Sequence, residues 1–401
     1  MPAKGSPLFI GTLLFLLNFL VMTDYLAMVP LVMDIAHSTG LAGDHTGFLL
    51  STYPIAAAFS SFFSAPFSDR LGRKRTLLLL LAGFSLASVG VALSSSVWQI
   101  FLFRFLSGVF GGPVLPNSFA YCGDAFKGPA RAKLITNLAL SFSAASILGV
   151  PLGAVFGDWF GWQGVFLVIA LGALVGFVAF LFLKEIPTEA TGTVTEQYGG
   201  LLGLWKHLPV RRAFYLQFVM MLGLFGVVPN LAVWLSTNYH YSAQGIGFAY
   251  MQGGIGAVLG NRLASFLLER GLMRRGLITM GSLVMAFFLG LACFELLEAP
   301  PFGFLIAGMM FGGSMRVPAH QLNLSELLPI HLRGRLMSMN MIVSHLAMGA
   351  GGFWSSPLLE LHQGKLEGMP LIGLLAVLSL LCVPYLVVIF QRAAVRQTET
   401  Y

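Results

Sequence analysis

Three fully charged side chains fall well inside long apolar stretches: Asp24, Arg104 and Arg316. A charge held in hydrocarbon is costly, so each is a functional candidate by default. A carboxylate in such a place can exchange a proton or meet a cation. A guanidinium can neutralise that carboxylate or hold an anion. Asp24 lies roughly 7–9 residues from the outer end of its stretch and Arg104 about 7 from the outer end of its own, which at ~1.5 Å per residue gives them similar depth. An ion pair at that depth serves either coupling or structure, and both readings stand at this point. Arg316, His320 and Asn323 recur at i, i+4 and i+7 and form one polar stripe ending near Glu326. The stripe either lines a cavity for an anionic or polar group or anchors a gate with Glu326. His345 is a second side chain able to titrate near neutral pH, with core packing as the alternative.

Polar and aromatic residues on the same stretches extend the set of cavity candidates: Asn18, Tyr25, Asn117, Asn137, Tyr215, Gln217, Trp234, Asn323 and Asn340. Met220, Met221, Met337, Met339, Met341 and Met348 add flexible apolar surface suited to irregular ligands. For any single Met or Phe, packing or lipid contact is the simpler role.

These residues need elements to hold them. The chain has 401 residues, of which 57% are hydrophobic and 10% charged. Average soluble domains carry about 25% charged residues, so an ordinary soluble globule, a disordered chain and a nucleic-acid-binding protein are excluded despite the net charge of +7. Apolar runs bounded by charge or turn residues predict twelve helical spans of bilayer length. They cover 9–33, 46–68, 76–95, 97–121, 133–157, 163–183, 213–237, 243–267, 276–297, 301–325, 335–358 and 369–391. Lys4 before the first run resembles a signal peptide, but no small-residue cleavage site follows promptly, so a retained first helix is expected. Cys122, Cys293 and Cys382 have no patterned spacing and suggest neither disulfides nor a metal site.

Basic residues set the orientation. With the N-terminus in the cytoplasm, twenty of the 23 Lys and Arg fall on the cytoplasmic side, Lys365 falls outside, and Arg104 and Arg316 lie within spans. Both termini are therefore expected in the cytoplasm. The polar stretch 184–212 divides the spans six and six and reads as a linker between bundles 1–183 and 213–401, with a short surface helix near 199–208. The halves also repeat. SDRLGRKR at 68–75 matches LERGLMRR at 268–275, FGGPVLP at 110–116 matches FGGSMRVP at 311–318, and RAKLIT at 131–136 matches RGRLMS at 333–338. Two similar six-helix halves imply a pathway between them and alternating access.

Three motifs carry a family resemblance. APFSDRLGRKR at 65–75 resembles the loop motif of the major facilitator superfamily: Asp69, Arg70, Gly72, Arg73 and Lys74 fit, and Ala65 replaces the opening Gly. Its physical reading is a charge latch at helix ends. IFLFRFLSGVFGG at 100–112 resembles the family's fourth-helix motif, with Arg104 and Gly108 in place and Ser107 for the usual Gln. Arg104, Gly108, Gly111 and Leu115 would share one face. SILGVPLGAVFGDWFGW at 146–162 resembles the fifth-helix motif of the drug/proton antiporter branch through Gly149, Pro151 and Gly153, although Val150 interrupts its Gly-Pro pair.

The resemblance implies an all-α membrane protein of 12 transmembrane helices in two six-helix pseudo-repeats. It implies a secondary transporter in the cell membrane, a bacterial inner membrane being expected, that exports a small amphipathic molecule in exchange for protons. Uptake or facilitated diffusion of a sugar, organic anion, siderophore or lipid is the alternative, and a membrane sensor or scaffold is another. No cofactor is expected beyond a proton gradient, and no nucleotide-binding loop or catalytic motif is present. The expected partners are a small-molecule substrate and the bilayer, with the protein a monomer.

Overall fold

A computed structural model describes residues 7–183, 185, 194–295, 300–328 and 332–398. Lys4, Lys184 and most of 184–193 lie outside the described residues, as do the side chains of Arg392 and Arg396. The backbone forms two compact units, Met1–Val194 and Thr195–Tyr401. The division falls inside the polar stretch 184–212.

Among the described residues, nine helical stretches are long and apolar enough to cross a membrane. One of them, Ser141–Leu181, is two spans joined at Gly161, whose φ of 70° lies outside the range a helix uses. Two more helices, Ala243–Glu269 and Arg333–Ser355, complete twelve spans at the positions expected from sequence. The first unit contains spans one to six and the second seven to twelve. The spans run longer than expected at several ends, as in Pro7–Thr39 and Leu208–Tyr239. Polar residues extend a helix past the hydrocarbon wherever its backbone bonds continue, so apolar runs underestimate helix length.

Three interruptions were not anticipated. Span four breaks after Gly111, because Pro113 cannot donate an amide hydrogen bond, and it resumes at Val114–Ala125. Leu115 therefore lies beyond the break from Arg104, Gly108 and Gly111, and is only half-buried. Span five contains a π turn at Ala145–Gly149, immediately before Pro151. Span ten breaks at Arg316, between Phe302–Met315 and Val317–Glu326, next to Pro318. The expected surface helix begins earlier than 199, as Val194–Gly203.

Among the described residues there is one β element. Glu360–His362 pairs antiparallel with Lys365–Glu367 between spans eleven and twelve. Asn238 at the end of span seven bonds both the amide and the carbonyl of Leu366 through its side chain, at 2.8 and 3.0 Å. This fixes the hairpin to the helix.

Glycine decides how closely several spans approach, since membrane helices pack on small residues. A Cβ on Gly149 would lie 2.3 Å from Thr23 Oγ1, one on Gly153 2.7 Å from Ala27 Cβ, and one on Gly157 2.4 Å from Leu31 Cδ2. Spans five and one thus interlock through a ladder of i, i+4 steps. In the second unit, Gly256 and Gly260 of span eight meet the carbonyl oxygens of Ala307 and Phe311 in span ten, each at 2.2 Å from a would-be Cβ. A backbone carbonyl cannot rotate away as a side chain can. Gly260→Ala should therefore destabilise the protein by about 1–3 kcal/mol. Gly276→Ala, where nothing lies within 4 Å, should stay within about 0.5 kcal/mol of the parent. Thermal unfolding of the purified variants compares the two; equal midpoints would refute the close span contact.

Candidate functional site: a buried ion pair and an uncompensated arginine

In the first unit, spans one and four bring Asp24 and Arg104 together. Arg104 Nη1 donates to Asp24 Oδ2 at 2.7 Å, and neither side chain has any exposed surface. The guanidinium lies between two rings, 5.2 Å from the centroid of Tyr53 and 5.7 Å from that of Phe166. Such cation–π contact spreads the charge onto spans two and six. Tyr25 packs on Tyr53 with centroids 5.3 Å apart. Polar capacity is left over. Asp24 Oδ1, Arg104 Nε and Nη2, the Tyr53 hydroxyl and the Thr23 hydroxyl are all buried without a hydrogen-bond partner. A pair kept only for structure is more stable the more of these valences are filled. This one keeps an open carboxylate oxygen and open guanidinium donors.

Span one approaches this closely because Gly149 leaves space for Thr23, the residue beside Asp24. Gly111 likewise leaves space for the Tyr53 hydroxyl. The fifth-helix motif therefore acts through packing behind the ion pair. Asn18 and Asn117 are buried nearby on spans one and four. Asn18 donates to Ser118 Oγ at 2.9 Å, and Asn117 donates to the Pro113 carbonyl at 2.8 Å. Asn137 is exposed and lines a separate cavity beside Lys133 and Phe15.

The loop between spans two and three holds an ion-pair chain. Arg73 meets Asp69 at 2.6 Å and Asp124, at the end of span four, at 2.8 Å. The Lys74 amide donates to Glu185 Oε1 at 3.2 Å, and Lys74 Nζ donates to the Leu181 carbonyl at 2.8 Å. Glu185 thus places a negative charge at the N-terminus of span three, where the helix dipole favours it. Gly72 adopts a φ of 93° and leaves no space for a Cβ against Glu185, which accounts for Gly at this position. Arg70 is exposed.

The second unit carries the counterpart. Arg274 opens span nine and forms a two-pronged pair with Glu326 at the end of span ten, while Asn323 Oδ1 accepts from the same guanidinium at 3.5 Å. The structure corrects the sequence register here. The residue equivalent to Arg274 is Arg73, since each opens its helix and reaches an acid at the end of the next span, whereas the sequence repeat paired Arg274 with Lys74.

The stripe on span ten therefore divides. Asn323 joins the Arg274–Glu326 ion pair, while Arg316 and His320 turn into a small cavity of about 40 Å³ with Gln217, Met220, Gln321 and Asn340. Arg316 is 1% exposed. It reaches the Gly313 carbonyl at 3.2 Å, the Met220 carbonyl at 3.4 Å and Met285 Sδ at 3.2 Å. Its Nη1 has no partner. Among the described residues no carboxylate lies within ion-pair distance of it. His320 Nε2 faces Asn340 Oδ1 at 3.5 Å, and its Nδ1 is unpartnered. Gln217 donates to Ser344 Oγ at 2.8 Å.

The remaining candidates lie elsewhere. His345 is not among the residues around this cavity. Trp234 is fully buried against Tyr239 and Phe302, and Tyr215 is 58% exposed. Sequence reasoning missed Tyr53, Phe166, Met285 and Gln321. Tyr53 had a visible signal, as a hydroxyl in the middle of span two. Phe166 and Met285 had none, because ring and thioether neighbours depend on helix rotation.

The comparisons with known proteins agree with this architecture. The family model described as Major Facilitator Superfamily matches residues 13–352. The uncharacterized MFS-type transporter YceJ of Bacillus subtilis is 28% identical over 310 residues, covering 75% of this chain and 78% of that protein. The class B tetracycline resistance protein of Escherichia coli is 25% identical over 308 residues, covering 74% of each. The crystal structure of a D-xylose-proton symporter superposes with a TM-score of 0.75 at 18% identity, covering 94% of this chain and 97% of that one, which establishes the fold. The chain is thus a multi-pass membrane transporter, a carrier and not an enzyme, and it belongs to the major facilitator superfamily.

Proposed function

We propose that the protein is a proton-coupled secondary transporter that exports a small amphipathic molecule by alternating access, with Asp24 as the proton carrier. One observation carries this reading: the Asp24 carboxylate is fully buried, bound to Arg104 through Oδ2, and open at Oδ1. A proton arriving at the open oxygen cancels the negative charge of the pair and reduces its bond to Arg104 from an ion pair to a hydrogen bond. A polar or cationic group of the substrate competes for the same carboxylate. Proton and substrate then exclude one another, which is the requirement for exchange in opposite directions. A relative whose name is that of a tetracycline resistance protein supports the export direction.

The bundles 1–183 and 213–401 form the moving halves and 184–212 the linker. The basic helix ends face the cytoplasm, as Lys and Arg do in inner membranes, with both termini on that side. The Arg73 and Arg274 latches fix the cytoplasmic ends of each half. The working unit is a monomer, and the driving force is the proton gradient.

The test uses everted membrane vesicles with an imposed proton gradient, followed by a pH-sensitive dye. Amphipathic compounds, tetracycline and ethidium among them, are added in turn. At least one should partly collapse the gradient in vesicles containing the protein and not in vesicles lacking it. Counterflow of a solute in proteoliposomes without any pH gradient, together with no gradient loss for that solute, would overturn proton coupling in favour of facilitated diffusion.

A further inference from the structure

The span-ten cavity supports an inference about what the substrate carries. Arg316 is the one buried arginine among the described residues of the second unit. It is buried, its neighbours are two carbonyls and a thioether, and one of its terminal nitrogens has no partner. A guanidinium has five donors and no acceptor. Carbonyls and sulfur satisfy some of those donors but return no charge. Burying a lone cation costs several kcal/mol even after relaxation. A protein that keeps one stands to recover that cost when an anion arrives.

The surroundings are built for such an arrival. Gly281 of span nine lies against the Arg316 stem, and a Cβ there would fall 2.8 Å from Arg316 Cγ. The arginine also sits at the break in span ten. The glycine gives the stem its space, and the Gly313 and Met220 carbonyls fix the guanidinium. His320, Gln321 and Gln217 border the same space. The cavity, at about 40 Å³, has room for roughly three water-sized groups, given about 10–15 Å³ of such space for each. That suits a planar carboxylate, which pairs well with the arginine fork. Met220 and Met221 provide adaptable apolar surface at the rim for the adjoining carbon skeleton.

We propose that this cavity binds the carboxylate of an amphipathic organic anion, with Arg316 as its counter-charge. The site would thus assign a chemical class to the molecule transported. This rests on the chain being a transporter, but it does not depend on proton coupling at Asp24.

The experiment is thermal unfolding of the purified full-length protein in detergent with three carboxylates, benzoate, phenylacetate and hexanoate, each against its amide at equal concentration and against chloride at equal ionic strength. A ligand that binds only the folded state raises the midpoint by mass action. At least one carboxylate should raise it while its amide and chloride do not. Arg316→Gln should weaken that carboxylate by about tenfold or more, and Arg316→Lys should retain part of the effect. If Arg316→Gln does not fold, the carboxylate–amide comparison on the parent protein still decides the matter. Equal shifts from acid and amide, no shift from any of the three acids, or an undiminished shift in Arg316→Gln would each overturn the proposal. The measurement involves no gradient, so its failure leaves coupling at Asp24 untouched. Loss of gradient coupling, in turn, leaves this binding result untouched.

Discussion

Asp24→Asn is expected to abolish substrate-dependent collapse of a proton gradient in everted vesicles while leaving energy-independent counterflow of the same substrate measurable. The substitution keeps the shape of the side chain and its bond to Arg104, and removes its capacity to gain and lose a proton. An amide at this position still accepts from Arg104 Nη1 through its oxygen, so the contact between spans one and four survives. Only the coupled step is lost. Asp24→Glu provides the complementary measurement, since it restores a titratable oxygen at a slightly different reach and should recover a fraction of the gradient-linked flux. Full gradient-driven transport by Asp24→Asn would remove Asp24 from the mechanism. Loss of both coupled transport and counterflow would instead identify it as a substrate contact.

Arg104→Met should be among the most destabilising single substitutions in the first unit, at about 3–5 kcal/mol, because it leaves a buried carboxylate without its counter-charge. The apolar replacement fits the space between Tyr53 and Phe166, so the cost comes from the stranded Asp24 and not from a cavity. The double variant Asp24→Asn, Arg104→Met removes both charges and should recover most of the loss. A double-mutant cycle in thermal or denaturant unfolding measures that coupling. If the two losses simply add, the pair does not interact and the ion-pair reading fails. The pair of experiments thus separates what the charges do for transport from what they do for the fold.

Much of the architecture was legible in the sequence for a simple physical reason. A bilayer admits backbone only where every amide is satisfied within the segment, so long apolar runs such as 369–391 have one outcome. The common depth of Asp24 and Arg104 followed from counting rise along two helices, and the pair forms. The interruptions were harder to read. Pro113 and Pro318 were visible, but whether a proline bends a membrane helix or breaks it depends on what its neighbours offer the freed carbonyl. The junction between spans five and six was legible, since the expected ends at 157 and 163 bracket Gly161, but only its φ shows that one residue makes the turn. Arg316 shows the sharper limit. Its stripe with His320 and Asn323 was clear from spacing, yet its division between cavity and latch depends on Arg274, which approaches from span nine. Contacts between elements distant in sequence depend on helix rotation, and no periodicity in one segment encodes the rotation of another.

The glycine ladder between spans one and five has a mechanical consequence. Side chains that interdigitate can be released by changing rotamer, one at a time. Gly149, Gly153 and Gly157 offer no rotamer to change: Thr23, Ala27 and Leu31 rest on bare backbone. Spans one and five are therefore one lever made of two rods. Any stroke that carries Asp24 carries the ladder with it, and the helical geometry of the fifth span is interrupted only past its last rung, at Gly161.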